Sequence, residues 1–181
     1  MNKLNGLLSR VKQMTLLGLL NLTGLWNPVL DLCRRLGKPL ALSVLVDGSG
    51  SIAYNKAMTQ SIMGAVENLL ARLPSDAKVQ LVMTGYWGED NYRILASGFP
   101  AYVKEVGWEW PGGPTRLDSA LREATLFHRA SPVHRHLTIV LTDGELSIGN
   151  THELPLGDTH ITSIQPDNLA LDLTHLAVLG R

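Results

Sequence analysis

The sequence predicts an α/β domain with an open, mostly parallel sheet carrying helices on both faces, behind an N-terminal helical extension. Three observations predict it. Short, nearly continuous apolar runs such as Leu40 to Val46 and Leu137 to Thr142 have the look of strands covered on both faces. Between them lie stretches whose apolar residues recur at helical spacing. The runs end in clusters of small polar residues and glycine, and strands that alternate with helices in this way build a parallel sheet. The expected division is residues 1–37 as the helical extension and 38–181 as the sheet domain.

Length and charge bound what such a domain does. With 181 residues and 45% hydrophobic composition, a single core needs no disulfide or metal staple to fold. Sixteen basic residues against sixteen acidic ones leave no formal net charge, which argues against a protein whose main work is coating nucleic acid. Cys33 is the only cysteine, so an intramolecular disulfide and a cysteine-rich zinc site are excluded. Charged residues make up 18%, below the roughly 25% of an average soluble domain, a hint of surface covered by a partner.

The first thirty residues carry Lys3, Arg10 and Lys12 but no acid, and Met14 to Trp26 is mostly apolar. That outline fits a signal peptide, but no A-x-A-like cleavage site follows and Asn21 and Thr23 interrupt the run. The run is shorter than the roughly 20 residues of a membrane span. A buried or half-buried helix is expected. An interfacial helix is the alternative, because Leu4, Leu7, Leu8 and Val11 fall on one face beside the basic residues, and membrane contact through residues 1–26 stays open.

Asn27-Pro28 then reads as a helix start and Gly37 as its C-cap. Leu40 to Val46 is the first strand, ending in Asp47-Gly48-Ser49-Gly50-Ser51. From Asn55 to Leu73 one apolar stripe marks a helix that Pro74 ends. Val79 to Thr84 is a second strand, Gly88 to Asn91 a turn, and Tyr92 to Ser97 an antiparallel return. Residues 100–116 read as irregular, Leu117 to Arg129 as a helix, and Leu137 to Thr142 as a strand running into Asp143-Gly144-Glu145. A long featureless segment reaches about Pro166, residues 167–173 suggest one or two helical turns, and His175 to Leu179 is the last strand expected.

Three polar clusters stand at strand ends or in adjoining loops: Asp47, Ser49 and Ser51; Thr115; and Asp143. Ligands of open α/β sheets bind outside the carboxyl ends of the strands, where the strand order reverses. The clusters converge only if the first and third buried strands flank that point. Two carboxylates and three hydroxyls form an all-oxygen donor set, which selects Mg²⁺, with Mn²⁺ or Ca²⁺ as alternatives, over zinc or copper. If the hydroxyls bind directly and the acids through water, the ion stays electron-poor and seeks an anionic ligand. A Glu or Asp of a protein partner would supply it.

LSVLVDGSGSI resembles the first strand and D-x-S-x-S motif of von Willebrand factor A domains, GGPTRLDSAL their threonine-bearing loop, and IVLTDGE their strand ending in a second aspartate. Together these resemble the metal-ion-dependent adhesion site, over about residues 39–181. The resemblance implies a Rossmann-like fold with Ser49, Ser51 and Thr115 coordinating Mg²⁺ and Asp47 and Asp143 acting directly or through water. It further implies a non-enzymatic, cytoplasmic adaptor or chaperone-type protein, of a kind that works with MoxR-type AAA+ ATPases. A membrane-associated or secreted adhesion module is the alternative. The terminal helix usual in the family is missing from the pattern, so part of residues 1–36 or a partner is expected to cover the sheet in its place, a truncated chain being the third alternative.

Other chemistries fit less well. His134 and His136 share one side of a strand start without a third soft ligand nearby, as a solvated strand entrance would. His152 and His160 lie in the long loop with no metal role indicated, and Glu145 reads as an exposed loop acid or a partner-facing one. Ser49 sits in a sharp turn, but its surroundings do not match the G-x-S-x-G elbow, and no G-x-x-x-x-G-K-[ST] loop occurs. Metal-assisted hydrolysis is the only enzymatic reading left. Trp87, Trp108 and Trp110 lie in loops beside the expected metal end, as interface anchors or as core under the loops.

Overall fold

A computed structural model describes residues 14–15, 35, 37–114, 116–142, 159–164 and 170–176, with side chains for 35, 37–114 and 116–142. Leu40–Val46 (β2) is buried at all seven positions, because its neighbours flank it in the sheet and both its faces are covered. Lys78–Thr84 (β3) and Arg135–Thr142 (β5) pair with it in parallel, one on each side. Tyr92–Gly98 (β4) returns antiparallel to β3, with an irregularity between Leu81 and Val82. Thr159–Ile164 (β6) pairs in parallel with β5, Ala170–Leu176 (β7) is antiparallel to β6, and Met14–Thr15 (β1) is antiparallel to β7. The strand order is β1-β7-β6-β5-β2-β3-β4.

The helices follow from the same patterning. Gly50–Ala53 (α1) is a single turn after β2. Asn55 caps Lys56–Leu70 (α2) by accepting the Met58 N–H at 3.2 Å. Met58, Ile62, Ala65, Val66, Leu69 and Leu70 form its buried stripe, against Leu42, Val44 and Val46 of β2 and Leu81 of β3. Pro100–Val103 (α3), with proline at its first turn, adds Val103 to this core. Asp118–Arg129 (α4) packs Ala120, Leu121 and Ala124 against Leu45, Val82 and Val140, residues whose alternation with the first set places α4 on the opposite face. At about 1.5–3 kcal/mol per fully buried aliphatic side chain, these two layers are the main stabilising term.

The α4 face also carries a polar row. Gln80, Ser43 and Thr138 are register neighbours across β3, β2 and β5, and all three are buried. Ser43 Oγ donates to Gln80 Oε1 at 3.2 Å, and Gln80 Nε2 donates to Glu123 Oε1 of α4 at 3.0 Å. Tyr92 donates to the other Glu123 oxygen at 3.3 Å. Buried polar groups are tolerable when partnered in this way.

Several expectations change here. Residues 170–173 are strand rather than helical turns; of the strand expected over 175–179, His175 and Leu176 belong to the same strand, and 177–179 lie outside the described residues. Beta-branched and aliphatic residues (Leu171, Leu173, Thr174, Leu176) suit either reading in so short a run, and pairing with β6 decides it. The segment expected to be featureless contains β6, added to the β5 edge. Residues 100–103 are helical rather than irregular. Met14 and Thr15 are strand, so at those residues the N-terminal segment extends the sheet edge instead of forming a helix. Of the rest of that segment only Arg35, which is helical, and Gly37, at φ +61°, are described, and the interfacial-helix alternative lies outside the described residues. No helix among the described residues is long and apolar enough to cross a membrane.

At the far end of β5, His136 stacks on His128 of α4 with ring centroids 4.8 Å apart and planes within 1°. Among the described residues, His128 Nε2 has no hydrogen-bond partner. Burial, then the His136 charge, lowers the His128 pKa from 6.5 to about 4. The unfolded chain therefore takes up this proton near pH 6.5 and the folded chain only near pH 4, so the stabilisation is complete above pH 6.5 and is lost as pH falls through that window. Because water reaches part of the ring, about 1–2 kcal/mol is expected rather than the full linkage value. Denaturant melts from pH 7 to 4 should show the stability difference between wild type and His128→Gln shrinking by that amount. A difference constant across the range would refute the assignment.

Candidate functional site

The chain reverses direction at β2. It runs from β2 outward to β3 and β4, then crosses back to β5 on the other side. The crevice at the carboxyl ends of β2 and β5 is thus the switch point at which open α/β sheets bind ligands, and the condition set by the sequence clusters is met. The Asp47 N–H continues the ladder one step past β2, donating to Leu141 O at 2.9 Å.

Asp47 is fully buried. Its Oδ1 accepts the Ser49 N–H at 2.9 Å, the local turn that a short acidic side chain makes with the backbone two residues on. Its Oδ2 accepts from Thr142 Oγ1 at 2.8 Å. The carboxylate is thereby aimed from both sides. Ser49 is buried at the start of α1, and its Oγ lies 3.2 Å from Ser51 Oγ, which belongs to a solvent-exposed residue. The pair forms a step from the buried acid to water.

Three loops lock around this step. Gly112 N donates to Gly48 O at 2.9 Å, Gly113 N to Gly85 O at 2.8 Å, and Gly50 N to Gly113 O at 3.3 Å. The approach leaves no room for side chains. A Cβ on Gly113 would lie 2.2 Å from Gly85 O, and one on Gly85, whose φ is +89°, 2.6 Å from the Gly48 carbonyl. The loop after β3 is closed by Asn91, which adopts φ 52° and whose amide nitrogen bonds Tyr86 O. Tyr86 in turn donates to Glu109 at 2.8 Å beneath Arg93, 4.4 Å above its ring. Burial, then Glu109, pushes the Tyr86 pKa up to about 12, so it remains a neutral phenol at any working pH.

Of the five residues singled out by sequence, Asp47, Ser49 and Ser51 come together as described. Thr115 and Asp143 lie outside the described residues, as do Glu145 and His152. Their neighbours Gly113 and Thr142 both bond into the site. The described oxygens have suitable spacing for a hard cation: ligands at right angles on an ion with bonds of about 2.1 Å lie about 3.0 Å apart, close to the Ser49–Ser51 separation. Among the described residues no group of three or more His, Cys, Asp or Glu could hold a metal. His128, His134 and His136 sit at the opposite end of β5, about 20 Å away, so none of them serves as a base for Ser49.

Sequence reasoning missed Thr142 and the glycine lock. Thr142 carries a readable signal, a hydroxyl on the last residue of an otherwise apolar strand. The lock carries only Gly85 and Gly112-Gly113, whose pairing across the sequence needs the fold. Of the tryptophans, Trp108 and Trp110 stack at 5.7 Å and pack on the α2-side core, while Trp87 is exposed.

No protein-family model matches the chain, and no curated protein matches it in sequence. Solved structures do. A von Willebrand factor type A protein from Catenulispora acidiphila superposes with TM-score 0.51 at 22% identity, over 59% of this chain and 27% of its own. The ArnB paralog VWA2 from Sulfolobus acidocaldarius gives 0.54 at 14%, over 68% and 34%. Proximal thread matrix protein 1 from the mussel byssus gives 0.54 at 19%, over 71% and 38%. The fold is that of a von Willebrand factor A domain, Rossmann-like and α/β. The chain spans less than two fifths of the length of each of these neighbours.

Gly113→Ala should therefore lower stability by about 1–3 kcal/mol, because the Gly85 carbonyl is backbone and cannot swing aside. Urea denaturation checks it, and an unchanged midpoint would show that the loops do not hold one another.

Proposed function

We propose that this chain is a non-catalytic, Mg²⁺-dependent protein-interaction module. In this reading Ser49, Ser51 and Thr115 hold the ion, and Asp47 and Asp143 act directly or through water. A Glu or Asp of a partner protein completes the coordination. The observation that carries the reading is the pair of hydroxyls 3.2 Å apart at the solvent boundary, set above a buried carboxylate with both oxygens fixed.

The chemistry supports a bridging role over a hydrolytic one. Neutral hydroxyls leave most of a divalent ion's charge uncompensated, so the open position attracts an anion strongly. Hydrolysis would need a base poised over the ion's water, and no described imidazole is near. Mn²⁺ would occupy the same oxygen set, and Ca²⁺ would need added ligands to reach its higher coordination number. We place the module in the cytoplasm, as an adaptor whose partner candidates include a MoxR-type AAA+ ATPase.

Binding of Mg²⁺ to the folded state alone should raise its stability, by about 2.7 kcal/mol at a hundredfold excess over Kd. Wild type should show this rise, and Ser49→Ala/Ser51→Ala should not. A pull-down from native lysate, run in Mg²⁺ and in EDTA, should retain a partner only with wild type in Mg²⁺. Identical partners in every lane would overturn the metal-bridged reading.

A further inference from the structure

Two large aromatic side chains stand in solvent beside the site. Tyr54 is 85% exposed and Trp87 78% exposed. A single exposed aromatic is ordinary, but these two share one support. Tyr54, at the end of α1, lies against Gly50 and Gly112, with its hydroxyl 2.8 Å from where a Gly112 Cβ would be. Trp87 lies 3.4 Å from the corresponding point on Gly113. Gly112 and Gly113 are consecutive, so the two rings flank one stretch of backbone, and that backbone is hydrogen-bonded to Gly48, Gly50 and Gly85. The loop that locks the site also backs both aromatics, which come from α1 and from the loop after β3.

Neither ring is there for the core. Trp108 and Trp110, from the same end of the molecule, pack inward against the core. Exposed, rigidly backed aromatics cost little conformational entropy on binding, and they are the side chains that most often dominate an interface. Their surroundings also select. Glu89 and Asp90 follow Trp87 closely in the exposed turn of the same loop, so a strongly acidic partner is repelled there.

We infer that Tyr54 and Trp87 form a second recognition element, gripping apolar side chains on either side of the carboxylate that reaches Ser49 and Ser51. The occupant is an extended segment of a partner protein with one Glu or Asp between apolar residues. Five extended residues span about 17 Å. This inference rests on the metal-bridged reading above for the carboxylate, but it assigns the residues that choose among carboxylates.

The test uses the full chain and three peptides, acetyl-Gly-Leu-Glu-Leu-Gly-amide and its analogues with Gly or Asp in place of both Leu. NMR titration to millimolar peptide is run in Mg²⁺ and in EDTA. Wild type in Mg²⁺ should bind the Leu-flanked peptide about 5- to 30-fold tighter than the Gly-flanked one, and the Asp-flanked peptide most weakly. In Tyr54→Ala/Trp87→Ala the Leu preference should fall to within about twofold while Mg²⁺-dependent binding of the Gly-flanked peptide persists. Both positions are exposed, so the variant should melt like wild type. Equal affinities in wild type, a preference that survives the double substitution, or binding of no peptide in either buffer would overturn the inference. So would concentration-dependent dimerisation abolished by the same substitutions, since the rim would then serve a second copy. Failure of the metal reading looks different: peptide binding unchanged by EDTA and by Ser49→Ala, with the Leu preference still lost in the aromatic variant.

Discussion

A carboxylate with no solvent exposure has to find its hydrogen bonds inside the protein, and the placement of Asp47 follows from that requirement. Its two oxygens accept from the Ser49 backbone and from Thr142, so the same group fixes the turn after β2 and ties that turn to the end of β5. β2 can bring Asp47 there because it is buried along its whole length between two parallel neighbours. The chain reversal at β2 then leaves the crevice beside the acid open. Burial, register and crevice are one constraint seen at three scales.

The glycines extend that constraint outward. Backbone carbonyls and amides of Gly48, Gly85 and Gly113 meet at distances that exclude a Cβ, so three loops from distant parts of the chain behave as one rigid rim. A metal site built on loops loses precision unless its supports are fixed. Here the support is main chain, which leaves the side chains of Ser51, Tyr54 and Trp87 free to face outward.

How much of this the sequence made legible depends on how local each signal is. Leu40 to Val46, Leu137 to Thr142 and the stripe from Met58 to Leu70 are read directly, because complete burial and helical spacing leave composition with few alternatives. D-G-S-G-S places Asp47, Ser49 and Ser51 together because the turn is five residues long. β6 and β7 are harder. Thr159–Ile164 has its polar residues in adjacent pairs (Thr159-His160 and Thr162-Ser163) with no strand alternation, and Ala170–Leu176 follows no single period, so their strand identity is set by pairing and not by local pattern. Thr142 and the His128–His136 stack depend on contacts 95 and 8 residues apart in sequence, the first far beyond any periodic window. The metal itself and the roles of Thr115 and Asp143 rest on residue chemistry and resemblance alone.

The two faces of the sheet serve the site differently. The α2 face is mainly apolar and supplies cohesion, whereas the α4 face carries the chain Ser43–Gln80–Glu123–Tyr92. Glu123 is the joint in that chain. One of its oxygens holds Gln80, and the other holds Tyr92, the residue that begins β4 directly after the loop bearing Trp87. Glu123 itself lies on α4, the helix that follows the glycine loop at 112–113. The loop bearing Trp87 and the glycine loop that backs the rim are therefore both followed by elements tied to a single side chain on the opposite side of the sheet from α2. An apolar residue at 123 would lose the bonds to both Gln80 and Tyr92. Polar partners are directional where hydrophobic ones are not, and the polar chain lies on the face whose helix and strand feed directly into the site.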